Sequence, residues 1–180
     1  DLCAMGKGLA NGHPLSAVMG KREIMELCSE IFFSGTFGGE NISLTAAKEV
    51  LTLVKSGAVT EKLERTGSQI IKGARQIVAD NNLDEIFSFS GHPSWSFINI
   101  SRKTVEDTML LKTLFLQEMF KRGILILSTH NISYAHSTSD VNKLLAAYSE
   151  TMDVIKASVK NNNVHDSLEC EPLKLLFKVR

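Results

Sequence analysis

The sequence predicts a two-part architecture, α/β over its first third and α+β over the rest, and three observations lead there. Short β-prone runs alternate with long amphipathic helical stretches in both parts. Two glycine-rich loops, around Gly6–Gly12 and Ser34–Gly39, interrupt the first part, where an anion-binding or active-site loop is expected. Gly57 then breaks the helical pattern, after which helices and strands follow one another in a compact unit. The expected organisation is residues 1–57 as the end of a larger domain, 58–162 as a small α+β domain, and 163–180 as a tail. With so few strands, the sheet of the first part is expected to be incomplete by itself, and the sequence to be a piece of a longer one.

Taken in order, Asp1–Gly20 is loop-rich, with Ser16–Met19 apolar enough for a short strand, and Lys21–Cys28 suits a short helix through Ile24, Met25 and Leu27. Glu30–Phe33 is a brief β-prone run that breaks into Ser34-Gly35-Thr36-Phe37-Gly38-Gly39. A helix is expected over Ile42–Lys55, with Leu44, Ala47, Val50, Leu51 and Val54 on one stripe. Thr60 and Glu61 open the next helix, which buries Leu63, Ile70, Ile71, Ala74 and Val78 and stops at Asn81-Asn82. Ile86–Phe89 and Trp95–Ile100 read as an antiparallel pair turning at Gly91-His92-Pro93, with Trp95 and Phe97 in the core. Thr104 and Asp107 form a capping-box start for a helix that ends near Arg122 and Gly123. Ile124–Leu127 is expected as a short buried strand and Ser128–Ser139 as a polar loop. Asp140 caps a last long helix to about Lys160, buried through Leu144, Leu145, Tyr148, Met152 and Ile155, and the tail carries an apolar stretch at Leu173–Val179.

Composition narrows the function classes. The 180 residues carry 20 Lys+Arg against 20 Asp+Glu, so bulk electrostatic attraction to nucleic acid or anionic membranes is not expected. The 43% hydrophobic and 22% charged shares are those of an ordinary globular protein, and the apolar runs are too short to span a bilayer. Cys3, Cys28 and Cys170 are odd in number and widely spaced, without metal-ligand or disulfide spacing. A reducing, cytoplasmic setting is the expectation.

Chemistry concentrates at Met5–Ser16, where Lys7 sits between Gly6 and Gly8, and Gly12 and Pro14 follow. Glycine lets other groups approach the backbone closely. A lysine shielded from water on such a turn loses its proton more readily, and a neutral amine attacks carbonyl carbon to form a Schiff base. The same residues also suit an exposed surface loop. Downstream, Gly35, Thr36, Gly38 and Gly39 leave backbone N–H groups free for an anion.

Taken together, Gly6-Lys7-Gly8-Leu9-Ala10-Asn11-Gly12-His13-Pro14 and the later Ser34-Gly35-Thr36-Phe37-Gly38-Gly39-Glu40-Asn41 resemble the class III aminotransferases among the pyridoxal 5'-phosphate (PLP) enzymes, particularly the branch near glutamate-1-semialdehyde aminomutase. The run Gly123–Leu127, the segment His130–His136 and Asp140 resemble the C-terminal domain of that branch. The resemblance covers about residues 1–159 and implies the C-terminal part of a fold-type I PLP-dependent transferase. It implies Lys7 as the Schiff-base lysine and proton-transfer base, with Gly35 and Thr36 on the cofactor phosphate across a homodimer interface. The implied partners are a small amino donor and a carbonyl acceptor, or one substrate whose amine is moved internally in a mutase. The family's pyridinium-partner aspartate, main phosphate loop and ring-stacking aromatic lie upstream of its lysine and have no counterpart in this sequence. A chain so composed is expected to bind PLP poorly alone, and a non-catalytic interaction module is the rival reading.

The remaining candidates are read plainly. His130, His136 and Asp140 are expected as packing or loop residues and not as metal ligands, the resemblance leaving a substrate contact near the active-site mouth as the alternative. Asn41 is either a helix cap or, with Glu40, a substrate contact. His13 is a turn residue, and Cys28 a small buried hydrophobe.

Overall fold

The computed structural model describes residues 1–174 and divides the chain into two compact units, residues 1–60 and 61–180. Of the apolar tail stretch Leu173–Val179, residues 175–179 lie outside the described residues.

The first unit opens with β1 (Leu2–Met5), paired antiparallel with β2 (Ala17–Gly20) in the register Leu2↔Gly20 to Met5↔Ala17. From the sequence alone Leu2–Met5 reads as loop. The strand forms because Ala17–Gly20 supplies its ladder, a pairing that spacing alone does not reveal. A single turn of helix, α1 (Arg22–Met25), runs into a 3₁₀ segment over Glu26–Glu30. The strand expected at Glu30–Phe33 is absent, because no neighbouring strand offers it hydrogen bonds. Its Phe32 and Phe33 are 96% and 76% exposed.

Helix α2 (Asn41–Lys55) starts one residue before the expected position. Its cap is Glu40, whose carboxylate accepts the N–H groups of Ile42 and Ser43 at 2.9 and 2.6 Å. That settles Asn41, which is the first helical residue and not the cap. The apolar stripe of α2 is buried only at Ala47, with Leu44, Leu51 and Val54 exposed.

Helix α3 (Ala58–Asp80) begins two residues ahead of Thr60. Gly57 takes a left-handed φ of 81°, and Thr60 donates back to the Gly57 carbonyl, so it lies inside the first turn. Asn82, also left-handed at φ 56°, ends the helix as the Asn pair predicted.

The second unit is built on a three-stranded antiparallel sheet, β3 (Phe87–His92), β4 (Trp95–Ile100) and β5 (Thr129–Asn131), with β4 central. The β3–β4 turn is Pro93-Ser94, and Gly91 and His92 belong to the strand, since His92 pairs with Trp95. Gly91 holds φ 88° with the Phe97 ring and Trp95 carbonyl each 2.9 Å from where a Cβ would stand. No other residue fits there.

Period-two alternation predicted the strand β4 correctly but the wrong face of it. Ser96 and Ile98 are buried at 0% and 4%, whereas Trp95 and Phe97 stand 55% and 37% exposed, their rings tilted at 46° with centroids 5.3 Å apart. The strand expected at Ile124–Leu127 is also absent. Only Ile126 is buried, Leu125 being 91% exposed, and the partner of β4 is the polar Thr129–Asn131.

Helix α4 (Val105–Lys121) is capped by Thr104, whose hydroxyl accepts the Asp107 N–H, and Gly123 at φ 72° closes its end. Helix α5 (Thr138–Lys160) begins before the expected Asp140. Ser137 is the cap and Asp140 the third helical residue, each side chain bonding the other's backbone N–H in a reciprocal capping box. The core of this unit gathers Phe87, Phe89 and Ile98 from the sheet with Leu114, Phe115 and Met119 of α4 and Tyr148, Met152 and Ile155 of α5.

Candidate active-site loops

The two loops singled out in the sequence both fall in the first unit. Gly6 to Ser16 connects β1 to β2. Gly6 is extended, and Lys7 then turns left-handed at φ 47° to open a 3₁₀ turn over Lys7–Leu9. The turn is closed by Leu9 N–H on the Gly6 carbonyl (3.1 Å) and Asn11 N–H on the Lys7 carbonyl (3.2 Å). Asn11 at φ 45° and Gly12 at φ 110° carry the chain back, and the buried Ala10 anchors the loop. A left-handed lysine is unusual, because its Cβ crowds the following carbonyl at a cost of about 1–2 kcal/mol. Glycine stands on both sides, yet the lysine takes the strained position. The Lys7 side chain itself is exposed.

Gly35 and Thr36 lie in the loop before α2. The Gly38 N–H bonds the Gly35 carbonyl at 3.0 Å and Glu40 N–H the Phe37 carbonyl at 3.3 Å. Among the described residues neither the hydroxyl nor the N–H of Thr36 has a hydrogen-bond partner, and nothing stands within 4 Å of a Cβ placed on Gly35. Residues 33–38 and Pro14–Ser16 line an open hollow of about 540 Å³, which joins the far end of the lysine loop to the Gly-Thr loop. Lys7 does not line that hollow. The unengaged Thr36 donors suit an anion such as a phosphate. The N-terminus of α2 is already occupied by Glu40, whose carboxyl the donors of Ser43 and Ile42 hold below its usual range.

His13 is an exposed turn residue whose N–H bonds the Ala10 carbonyl. Cys28 is half-buried rather than buried. In the second unit, His130 is 3% exposed and has both ring nitrogens engaged, with Ser96 Oγ at 2.9 Å and Tyr148 Oη at 2.8 Å. Burial pushes its pKa down to about 4. This three-residue network escaped the sequence reading, and its only trace there is a serine on the buried face of β4. His136 accepts the Ser133 N–H, and Asp140 is spent on the α5 cap. Among the described residues no group of three or more His, Cys, Asp or Glu side chains converges as a metal site, and no helix is long and apolar enough to cross a membrane.

The fold defines the class first. The chain superposes on the FumI protein of Sphingopyxis sp. MTA144 in its PLP internal aldimine form with a TM-score of 0.78 at 23% identity, covering 89% of this chain and 38% of that one. It superposes on the ornithine aminotransferase of Toxoplasma gondii ME49 with a TM-score of 0.70 at 18% identity, over 88% of this chain and 38% of that one. This is the fold-type I transferase architecture expected from the sequence. The model of the family "Aminotransferase class-III" matches residues 1–156, and the chain belongs to that family. It is 30% identical to the glutamate-1-semialdehyde 2,1-aminomutase of Methanothermobacter thermautotrophicus across 87% of this chain, and 29% identical to that of Methanococcoides burtonii across 82%. The chain spans about 40% of the length of these curated relatives.

Proposed function

We propose that this chain carries the lysine and part of the phosphate-binding surface of a PLP site, in a protein that moves amino groups between a small amino compound and a carbonyl compound. The observation that supports this best is the strained φ of 47° at Lys7, held between two glycines in a segment that the family model matches. Non-glycine residues kept in sparsely populated backbone conformations cluster at functional sites. Lys7 Nζ is the covalent attachment point for the cofactor and, once free, the base that shifts a proton. Gly35 and Thr36 donate N–H groups and a hydroxyl to the phosphate. Bound PLP supplies an electron sink for carbon–hydrogen bond cleavage, and the protein supplies orientation and the mobile amine. The assembly implied is a homodimer with shared sites in the cytoplasm, with residues 1–57 closing the larger domain, 58–162 forming the smaller and 163–180 a tail.

A second reading has its own support. Both relatives named above are 2,1-aminomutases, which favours one substrate whose amine is moved internally. Conversion of a single amino-aldehyde without any added carbonyl acceptor distinguishes mutase from transferase.

Borohydride reduction in the presence of PLP, followed by peptide mapping, tests the site. The chain as given and a version extended upstream are compared. Pyridoxyl label concentrated on Lys7 in the extended protein supports the assignment. Label spread over surface lysines in both sinks it and leaves the non-catalytic module.

A further inference from the structure

Three side chains on one stripe of α4, Thr113, Gln117 and Lys121, reach the segment that follows α5. Gln117 accepts the Glu169 N–H at 2.7 Å and donates to the Ser167 carbonyl at 3.0 Å, so its amide bridges the backbone where the turn over Val164–Leu168 gives way to a bend. Thr113 Oγ accepts the Leu173 N–H at 2.9 Å, and Lys121 pairs with the Glu169 carboxylate at 2.6 Å. Helix and segment run in opposite directions, and each bond falls one helical turn from the next.

The receiving side is fixed from behind, without help from the segment. Glu118, 6% exposed, accepts from both Gln117 and Lys121 at 3.1 Å and from Arg122 at 2.8 Å. Thr113 donates its own hydroxyl to the Met109 carbonyl at 2.7 Å. Such preorganisation is what a recognition surface needs. Within the segment Ser167 Oγ also meets Ser158 Oγ of α5 at 3.0 Å and Leu168 packs against the core, whereas among the described residues the hydrogen bonds of 169–173 are those to α4. Glu169, Cys170, Glu171 and Leu173 are exposed, and an apolar hollow of about 380 Å³ beside Leu116 and Phe120 lies between it and the helix. It also lies beyond residue 156, where the match to the family ends.

We infer that this stripe of α4 is a binding site for an acidic peptide segment, occupied here by the chain's own residues 167–173 as a detachable internal ligand. Backbone groups are read by Gln117 and Thr113, and the acidic side chain by Lys121. The site is independent of the proposed PLP chemistry.

Hydrogen exchange on the full chain provides the first test. The Glu169 and Leu173 N–H groups should exchange by local opening, at rates insensitive to low denaturant and far above those of buried α4 amides. Gln117→Ala should speed Glu169 exchange about tenfold, the loss of roughly one hydrogen bond, and leave α4 unchanged. Exchange of these groups only through global unfolding, at the rate of the core, overturns the inference. The second test uses the full chain with residues 167–173 replaced by Gly and Ser. A labelled peptide of residues 164–174 should bind it, more weakly as salt rises, and about tenfold more weakly after Lys121→Ala. No binding, binding indifferent to Gln117→Ala and Lys121→Ala, or failure of the replaced chain to fold all count against a detachable ligand.

Discussion

His130 Nε2 stands 2.8 Å from Tyr148 Oη, where β5 meets α5 in the core of the second unit. The opposite ring nitrogen meets Ser96 Oγ of β4 at 2.9 Å, so one imidazole joins two strands and a helix. All three residues are buried, and the network exhausts the hydrogen-bonding capacity of the neutral ring.

Burial lowers the His130 pKa from 6.5 to about 4. The unfolded chain therefore binds a proton between those values while the folded chain does not, and stability must rise with pH across that window. The contribution is complete above pH 6.5 and falls away towards pH 4, by an amount on the order of 3 kcal/mol. Urea denaturation from pH 7 to pH 4.5 should show this slope in the native chain and a shallower one in His130→Gln.

Tyr148→Phe keeps the ring packing against Phe89 and Phe115 but leaves His130 Nε2 without its partner. The expected cost is about 1–3 kcal/mol, the penalty for one unsatisfied buried polar group. Chemical denaturation at pH 7 measures it. A neutral result would mean that the hydrogen bond contributes nothing to folding.

Lys7→Gly should remove the backbone strain at φ 47° and raise stability by up to about 1 kcal/mol, while abolishing pyridoxyl labelling at that position. Lys7→Ala should abolish the label without the gain, since alanine has the same Cβ. Loss of stability in Lys7→Gly would show that the lysine's conformation is unstrained.

Gly67→Ala tests the approach of α3 to the β3–β4 hairpin, where an added Cβ collides with the Pro93 carbonyl. Displacing backbone costs more than displacing a flexible side chain, so a loss of at least about 2 kcal/mol is expected. Gly8→Ala, with nothing within 4 Å, serves as the control.

Trp95 gives a direct readout of the face reversal in β4. As the single tryptophan, 55% exposed, it should emit as a solvated indole and be quenched readily by acrylamide. Trp95→Ser should change stability by no more than about 0.5 kcal/mol. Ser96→Val, in contrast, strands one nitrogen of His130 and should cost about 1–3 kcal/mol.

The sequence by itself determined the long helices, because their apolar spacing, their stops at Asn82, Gly123 and Asn161, and the Thr104 cap are local signals carried within a few residues. It also determined the family, through two glycine-bearing motifs whose order and spacing survive without any knowledge of contacts. Tertiary structure decided everything that depends on a distant partner. Leu2–Met5 became a strand because Ala17–Gly20 pairs with it, and polar Thr129–Asn131 displaced apolar Ile124–Leu127 beside β4 because the ladder admits a single neighbour on that edge. Ser96 went inward and Trp95 outward because His130, 34 residues away, offered the serine a buried partner. A hydrogen bond between distant residues has no period in sequence, and a hydrophobic count favours the tryptophan. Only the fold brings both claims to one strand, where the satisfied polar group and Ile98 take the inner face.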